Sequence, residues 1–245
     1  MSKPFRFKEF TIEQNRCAMK IGTDGVLLGA WAHIPTTTVS ILDIGAGTGV
    51  IALMLAQRSQ AELIDAMEID EDAYEQCVDN FENSPWGDRL FCYHADLDEF
   101  TEEFSSEEAQ SNEDYDLIVS NPPYFEPALA EETSDARKKA RFYDALPFED
   151  LLKNAAKLLA KSGTFQTIIP FSEYDRFISL ANKVQLHLQR VTFVKGNQHT
   201  PVKRVLLQLG FEKLPLQENT LIIEKERHVY TEEYIKLVKD FYLDG

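Results

Sequence analysis

Residues 39–49 read Val39-Ser-Ile-Leu-Asp-Ile-Gly-Ala-Gly-Thr-Gly49, and the rest of the chain is arranged around them. Val39 to Ile44 is short, apolar and β-branched, which predicts a parallel strand buried on both faces. Glycines follow at 45, 47 and 49, and Val50 to Ala56 is then an apolar run of good helix formers, so a helix starts near Gly49. Strand, glycine turn and helix let a backbone approach a ligand closely and leave the first N–H groups of the helix facing it. The Gly-x-Gly-x-Gly spacing differs from the dinucleotide fingerprint Gly-x-Gly-x-x-Gly. No Gly-Lys-Ser/Thr follows either, so this is not a Walker phosphate loop.

Outward from the turn, Leu63 to Ile69 predicts a second strand with Glu68 near its end, where a carboxylate can accept both hydroxyls of a ribose. Asp70 to Asn83 predicts a helix with acids in its first turn. Arg89 to His94 reads as a third strand, followed by Asp96 and Leu97. Tyr115 to Ser120 reads as a fourth and runs into Asn121-Pro-Pro-Tyr124, where two prolines remove two donors, stop the strand and stiffen the turn. A helix over 148–161 closed by Ser162-Gly163, a strand over 164–170, a helix capped by Ser172, strands at 187–195, 202–211 and 221–224, and a terminal helix over 230–242 capped by Thr231 complete the pattern. Upstream, Thr23 or Asp24 reads as the cap of a helix over 26–31, a segment that either packs on the sheet or closes over a ligand. The alternation, without linker or repeat, predicts an α/β doubly wound sheet in one domain spanning 1–245, with residues 1–38 as an extension packing on it. The glycine turn, Glu68, Asp96 and Asn121 all fall at carboxyl ends of strands, where such sheets bind ligands.

At 245 residues with 44% hydrophobic and 27% charged side chains, the composition is that of an ordinary globular protein. No apolar run is long enough to span a membrane and no apolar core marks a signal peptide, so a cytoplasmic protein is expected. Cys17, Cys77 and Cys92 are scattered, which argues against a disulfide framework and a zinc site, and no metal is expected. The histidines are scattered too, with no Ser-His-Asp pattern. A net charge of −16 argues against a nucleic-acid partner, yet nine of the acids lie within Asp98 to Asp116, expected as an irregular solvated insertion. The densest basic cluster, Arg137, Lys138, Lys139 and Arg141, follows the Asn-Pro-Pro-Tyr turn in a stretch that reads as a loop.

Asp43-Ile-Gly-Ala-Gly-Thr-Gly49 resembles motif I of the class I S-adenosylmethionine (SAM) methyltransferases. That resemblance implies a mostly parallel seven-stranded sheet with an antiparallel strand near one edge, and SAM as cofactor. It assigns Asp43, Gly45, Ala46, Gly47 and Gly49 to the cradle of the cofactor, Glu68 and Ile69 to the ribose side, and Asp96 and Leu97 to the adenine, with Asn121 alongside. Asn121-Pro-Pro-Tyr124 resembles the motif of methyltransferases acting on planar amino groups. The lone pair of such a nitrogen is delocalised, so it needs help in becoming tetrahedral more than a strong base. The Asn121 side-chain oxygen and the Pro122 carbonyl can accept its two N–H groups, and Tyr124 can stack on the flat ring. With Cys17 to Trp31 added, the chain resembles the bacterial tRNA (adenine-N(6)) methyltransferase family, which modifies position 37 of valine tRNA. This implies tRNA as partner and Lys20 and Asp24 near SAM or the target base; the sequence does not identify the oligomeric state, and a monomer is the default. Two enzyme rivals use similar chemistry, on a protein glutamine amide or on a guanine amino group of rRNA. A third reading is a SAM- or RNA-binding protein without catalysis. Glutamine-amide enzymes often carry an extra N-terminal helical domain, and only about 38 residues precede the first core strand here, which favours the nucleic-acid reading.

Overall fold

The computed structural model describes residues 3–104, 114–123 and 146–243. An N-terminal arm pairs β1 (Phe5–Arg6) with β2 (Thr11–Ile12) in a small antiparallel ladder. Phe7 and Phe10 turn inward between them and stack on each other, and Phe7 also stacks on Tyr242. The chain continues through α1 (Thr23–Trp31), β3 (Ser40–Ile44), α2 (Val50–Arg58), β4 (Leu63–Glu68), α3 (Glu71–Glu82), β5 (Leu90–His94), α4 (Leu97–Phe104) and β6 (Tyr115–Ser120). It then forms α5 (Phe148–Leu158), β7 (Leu159–Pro170), α6 (Tyr174–Lys183), β8 (His187–Asn197), β9 (Val202–Gly210), β10 (Gln217–Glu226), β11 (Val229–Tyr230) and α7 (Glu232–Val238).

Among the described residues the main sheet has nine strands in the order β11-β10-β8-β9-β7-β6-β3-β4-β5. The strands from β8 to β5 are the expected seven, with β9 antiparallel to both β7 and β8. The expected strand at 221–224 is longer and adds to the sheet beside β8, and β11 pairs with it. Gln217 to Thr220 are all exposed, so this edge carries polar side chains and its first half does not read as a strand. The strand order reverses at β3, which sets the carboxyl ends of β6, β3, β4 and β5 side by side, with Ile44 opposite both Met67 and Ser120 and Glu68 opposite His94. α1, α2, α3 and α7 pack on one face with the arm, and α4, α5 and α6 on the other.

Several boundaries differ from expectation: Ser172 lies in a 3-10 turn with Glu173 at the cap of α6, the terminal helix spans only Glu232–Val238, and three further differences have clear physical reasons. The helix over 148–161 stops at Leu158, and Gly163 lies inside β7. A Cβ there would sit 2.8 Å from the Tyr115 carbonyl, so this glycine serves a close approach of two strands and does not cap a helix. The acidic stretch expected as irregular begins with α4, which buries Leu97, Phe100 and Thr101 at helical spacing. α1 begins at Thr23, so Thr23 and Asp24 sit in its first turn, and Gly22 is the cap.

Candidate active site

The glycine turn has the geometry its sequence demands. Gly45, Gly47 and Gly49 adopt φ of +73°, +56° and +77°, a region that costs any other L-residue about 1–2 kcal/mol. They differ in what surrounds them. A Cβ on Gly49 would lie 2.5 Å from the Phe81 ring and 2.8 Å from Cys77 Sγ, so this glycine lets α3 pack against the turn. A Cβ on Gly45 or Gly47 meets open space within 4 Å, the kind of bare backbone surface against which a ligand can lie.

Asp43 lies beneath the turn, fully buried, and its carboxylate accepts from Ala52 N–H at 3.1 Å on α2. Burial pushes its pKa up to about 7, against the Ala52 N–H, which favours the charged form, while nearby Glu68 adds to the rise. Placed there, Asp43 holds the turn to the helix that follows. Glu68, at the end of β4, accepts from Gly47 N–H at 2.7 Å with one oxygen and from Ile69 and Asp70 N–H at 2.9 and 3.0 Å with the other. A carboxylate so fixed at the lip of the turn retains lone pairs for further donors. Beside it Ile69 is 51% exposed, an apolar surface at a strand end.

Asp96 accepts from Asp98 N–H at 2.8 Å and so caps the start of α4, while Leu97 is buried in the core below. Asn121 follows β6, whose last residue Ser120 donates to the Ile44 carbonyl at 2.9 Å and ties the strand to the end of β3. The Asn121 side-chain oxygen is buried and, among the described residues, has no hydrogen-bond donor. An acceptor left this way costs about 1–3 kcal/mol, a cost that a donor brought by a ligand would remove. Gly25 in α1 packs against Val50 and Asn121, so the N-terminal turn of α1 abuts both the glycine turn and the Asn-Pro-Pro segment. Asp24 in that turn pairs with Arg204 at 2.9 Å, and Lys20 is exposed just ahead of it. Pro122 belongs to the same group, whereas Tyr124 and the cluster Arg137, Lys138, Lys139 and Arg141 lie outside the described residues.

Two side chains that brace the site carry little sequence signal. Asn80 is buried on α3, donates to the Thr48 and Glu13 carbonyls at 2.9 Å each and accepts from Glu13 N–H, clamping the arm to the glycine turn. Its only sequence mark is the i,i+4 pairing with Gln76, which accepts from Arg16 N–H, a polar stripe easily read as solvent-facing. Arg204 stands on β9 opposite Pro170 at the carboxyl end of β7, and strand pairing alone brings it 180 residues back to Asp24.

An open glycine cradle, a fixed carboxylate at the next strand end and an unmatched acceptor across the switch point fit a nucleoside cofactor with a charged amino-acid tail. Fold and site define a class I SAM-dependent methyltransferase, with S-adenosylmethionine as its cofactor. A family profile described as methyltransferase small domain matches residues 25–199. The chain is 54% identical to the tRNA1(Val) (adenine(37)-N6)-methyltransferase of Christiangramia forsetii over 99% of this chain and 98% of that one. It is also 54% identical to the protein of the same name from Flavobacterium psychrophilum, over 98% and 99%. A solved structure from Agrobacterium tumefaciens, described as a predicted O-methyltransferase, shares the fold at TM-score 0.68 and 19% identity, over 89% of this chain and 96% of that one. The chain belongs to the tRNA1(Val) (adenine(37)-N6)-methyltransferase family.

Among the described residues no helix is long and apolar enough to cross a membrane, and no group of three or more His, Cys, Asp and Glu side chains is placed to hold a metal ion.

Proposed function

We propose that this chain is a cytoplasmic, single-domain enzyme that methylates N6 of adenine 37 in valine tRNA. The full-length similarity to relatives of that name supports the substrate. The observation that carries the chemistry is the buried side-chain oxygen of Asn121, which has no donor among the described residues and lies next to the end of β3 and its glycine turn. Bound SAM supplies an electrophilic methyl on a sulfonium, so transfer requires an amine lone pair aligned with it.

In this reading Gly45, Ala46 and Gly47 carry the cofactor on bare backbone, and Glu68 accepts the ribose hydroxyls beside Ile69. Asp96 and Leu97 bound the adenine end, while Lys20 and Asp24 stand at the mouth. Asp43 and Gly49 act one step back by fixing the turn. Asn121 and the Pro122 carbonyl accept the two N6–H bonds of the target base, turn its lone pair out of conjugation and hold it in line. Tyr124 stacks on the base after it leaves its neighbours. The prolines keep these acceptors rigid, so little reorganisation is needed at the moment of transfer.

Transfer of labelled methyl from SAM, compared among bulk tRNA, rRNA and protein, tests the substrate class. The label is expected in tRNA. Label in a protein glutamine or in rRNA would replace this reading with one of its rivals.

A further inference from the structure

From Arg176 to Phe211 the chain carries six cations, Arg176, Lys183, Arg190, Lys195, Lys203 and Arg204, and no carboxylate. At the average composition of this acidic chain, about six carboxylates would fall in a stretch of that length. The stretch includes the β8–β9 hairpin. β8 is parallel to β10 and antiparallel to β9, which in turn is antiparallel to β7, so the hairpin turn projects from the same sheet edge as the glycine turn and Asn121.

The placement is specific. β9 lies two strands from β6, about 10 Å across the sheet. Ser120 is opposite Thr167 on β7, whereas Arg204 is opposite Pro170, three residues or about 10 Å further out along the strand. The hairpin therefore rises beside the reaction centre and beyond it. Its tip is held by Asn197, which accepts from His199 and Thr200 N–H at 2.9 and 3.1 Å, while Lys195 Nζ donates to the Gln198 carbonyl at 2.9 Å. Lys203 and His199 are exposed. At the foot of the hairpin Phe171 is 43% exposed, with its ring edge-on to Phe193 of β8 and stacked with Tyr174.

We infer that Lys195, His199 and Lys203 on the β8–β9 hairpin, with Phe171 at its foot, form a contact strip for the RNA backbone flanking the target nucleotide. This rests on the tRNA reading above and names the surface that delivers the strand to the site. Cations spaced along a rigid tip match phosphates, and an exposed ring braced by two others offers a base a stacking face. The hairpin itself carries no carboxylate to repel the RNA; of the acids on neighbouring elements, Asp24 is paired with Arg204, and Glu224 on β10 lies in register with Asn197.

Binding of unmodified valine tRNA to the full chain, followed by fluorescence anisotropy between 50 and 200 mM salt, tests the strip. Wild type is assayed beside Lys195→Gln/Lys203→Gln and Phe171→Leu. Removal of two phosphate contacts should flatten the plot of log affinity against log salt by about 1.4–1.8. Phe171→Leu keeps an apolar foot but loses the stacking face, and should weaken binding about tenfold with the slope unchanged. Both variants should keep wild-type SAM affinity and wild-type rate at saturating tRNA. Unchanged slope and affinity in the variants, with a wild type that binds and methylates tRNA, overturn the strip alone. A wild type that does not bind tRNA overturns the strip together with the tRNA reading.

Discussion

In the proposed reaction Asn121 supplies the acceptor for the target amine. Asn121→Ala removes the acceptor for the target amine and leaves the glycine turn and Glu68 untouched. It should lower the single-turnover methylation rate by about 10²–10³, the scale for loss of one preorganised transition-state partner, with SAM affinity by calorimetry nearly unchanged. Tyr124→Phe retains the stacking face and should be mild in the same assay. Asp43 gives a prediction in pH. Its folded pKa of about 7 lies above the ordinary aspartate value, so its contribution to stability is fully present below about pH 4 and is lost as pH rises through 7. Relative to Asp43→Asn, wild type should therefore lose stability between pH 5 and pH 8, by at most about 3 kcal/mol. Urea unfolding of both proteins across that range measures it, and a constant difference would mean that Asp43 is ionised throughout. The residues legible in the sequence are those whose role follows from local chain geometry: the glycines, Glu68 one strand on, Asn121 before two prolines. Asn80 and Arg204 were not legible, because each owes its role to chain segments brought together only by folding.

At the scale of elements, Gly47 and Gly49 look alike in sequence and stand in different places. Gly49→Ala forces a Cβ into Phe81 and Cys77 at an unfavourable φ, and should cost about 2–4 kcal/mol in thermal or urea unfolding. Gly47→Ala has open space around it and should cost only the backbone strain of about 1–2 kcal/mol, yet lower SAM affinity sharply because the methyl occupies the cradle. Equal stability losses with equal SAM affinity would remove the distinction between a packing glycine and a cradle glycine. The buried parallel strands and their helices were readable from unbroken apolar runs, and β3 is buried along its whole length. Three features were not readable. Acidic side chains cover the outer face of α4, the polar first half of β10 lies at an edge, and Gly163 mimics a helix stop while serving strand contact.

At the scale of the whole molecule, the acidic balance concerns solubility and long-range approach, and the local distribution of charge decides where RNA lands. In the sequence nine of the 41 acids fall within 98–116 and none within the β8–β9 hairpin, and a second basic cluster follows the Asn-Pro-Pro-Tyr turn. Replacing Arg137, Lys138, Lys139 and Arg141 with Ala should weaken tRNA binding and reduce the salt slope by about 3, if each cation meets a phosphate. An unchanged slope would make that cluster a solvated surface. The proposed reaction places a single methyl group on a single nitrogen. Its most direct test is to incubate the protein with SAM and unmodified valine tRNA, digest the product and locate the modified nucleoside by mass spectrometry. N6-methyladenosine is expected at position 37 with wild type, and almost none with Asn121→Ala. Methylation at another position or on guanine, or an equal yield from the Asn121 variant, would contradict it.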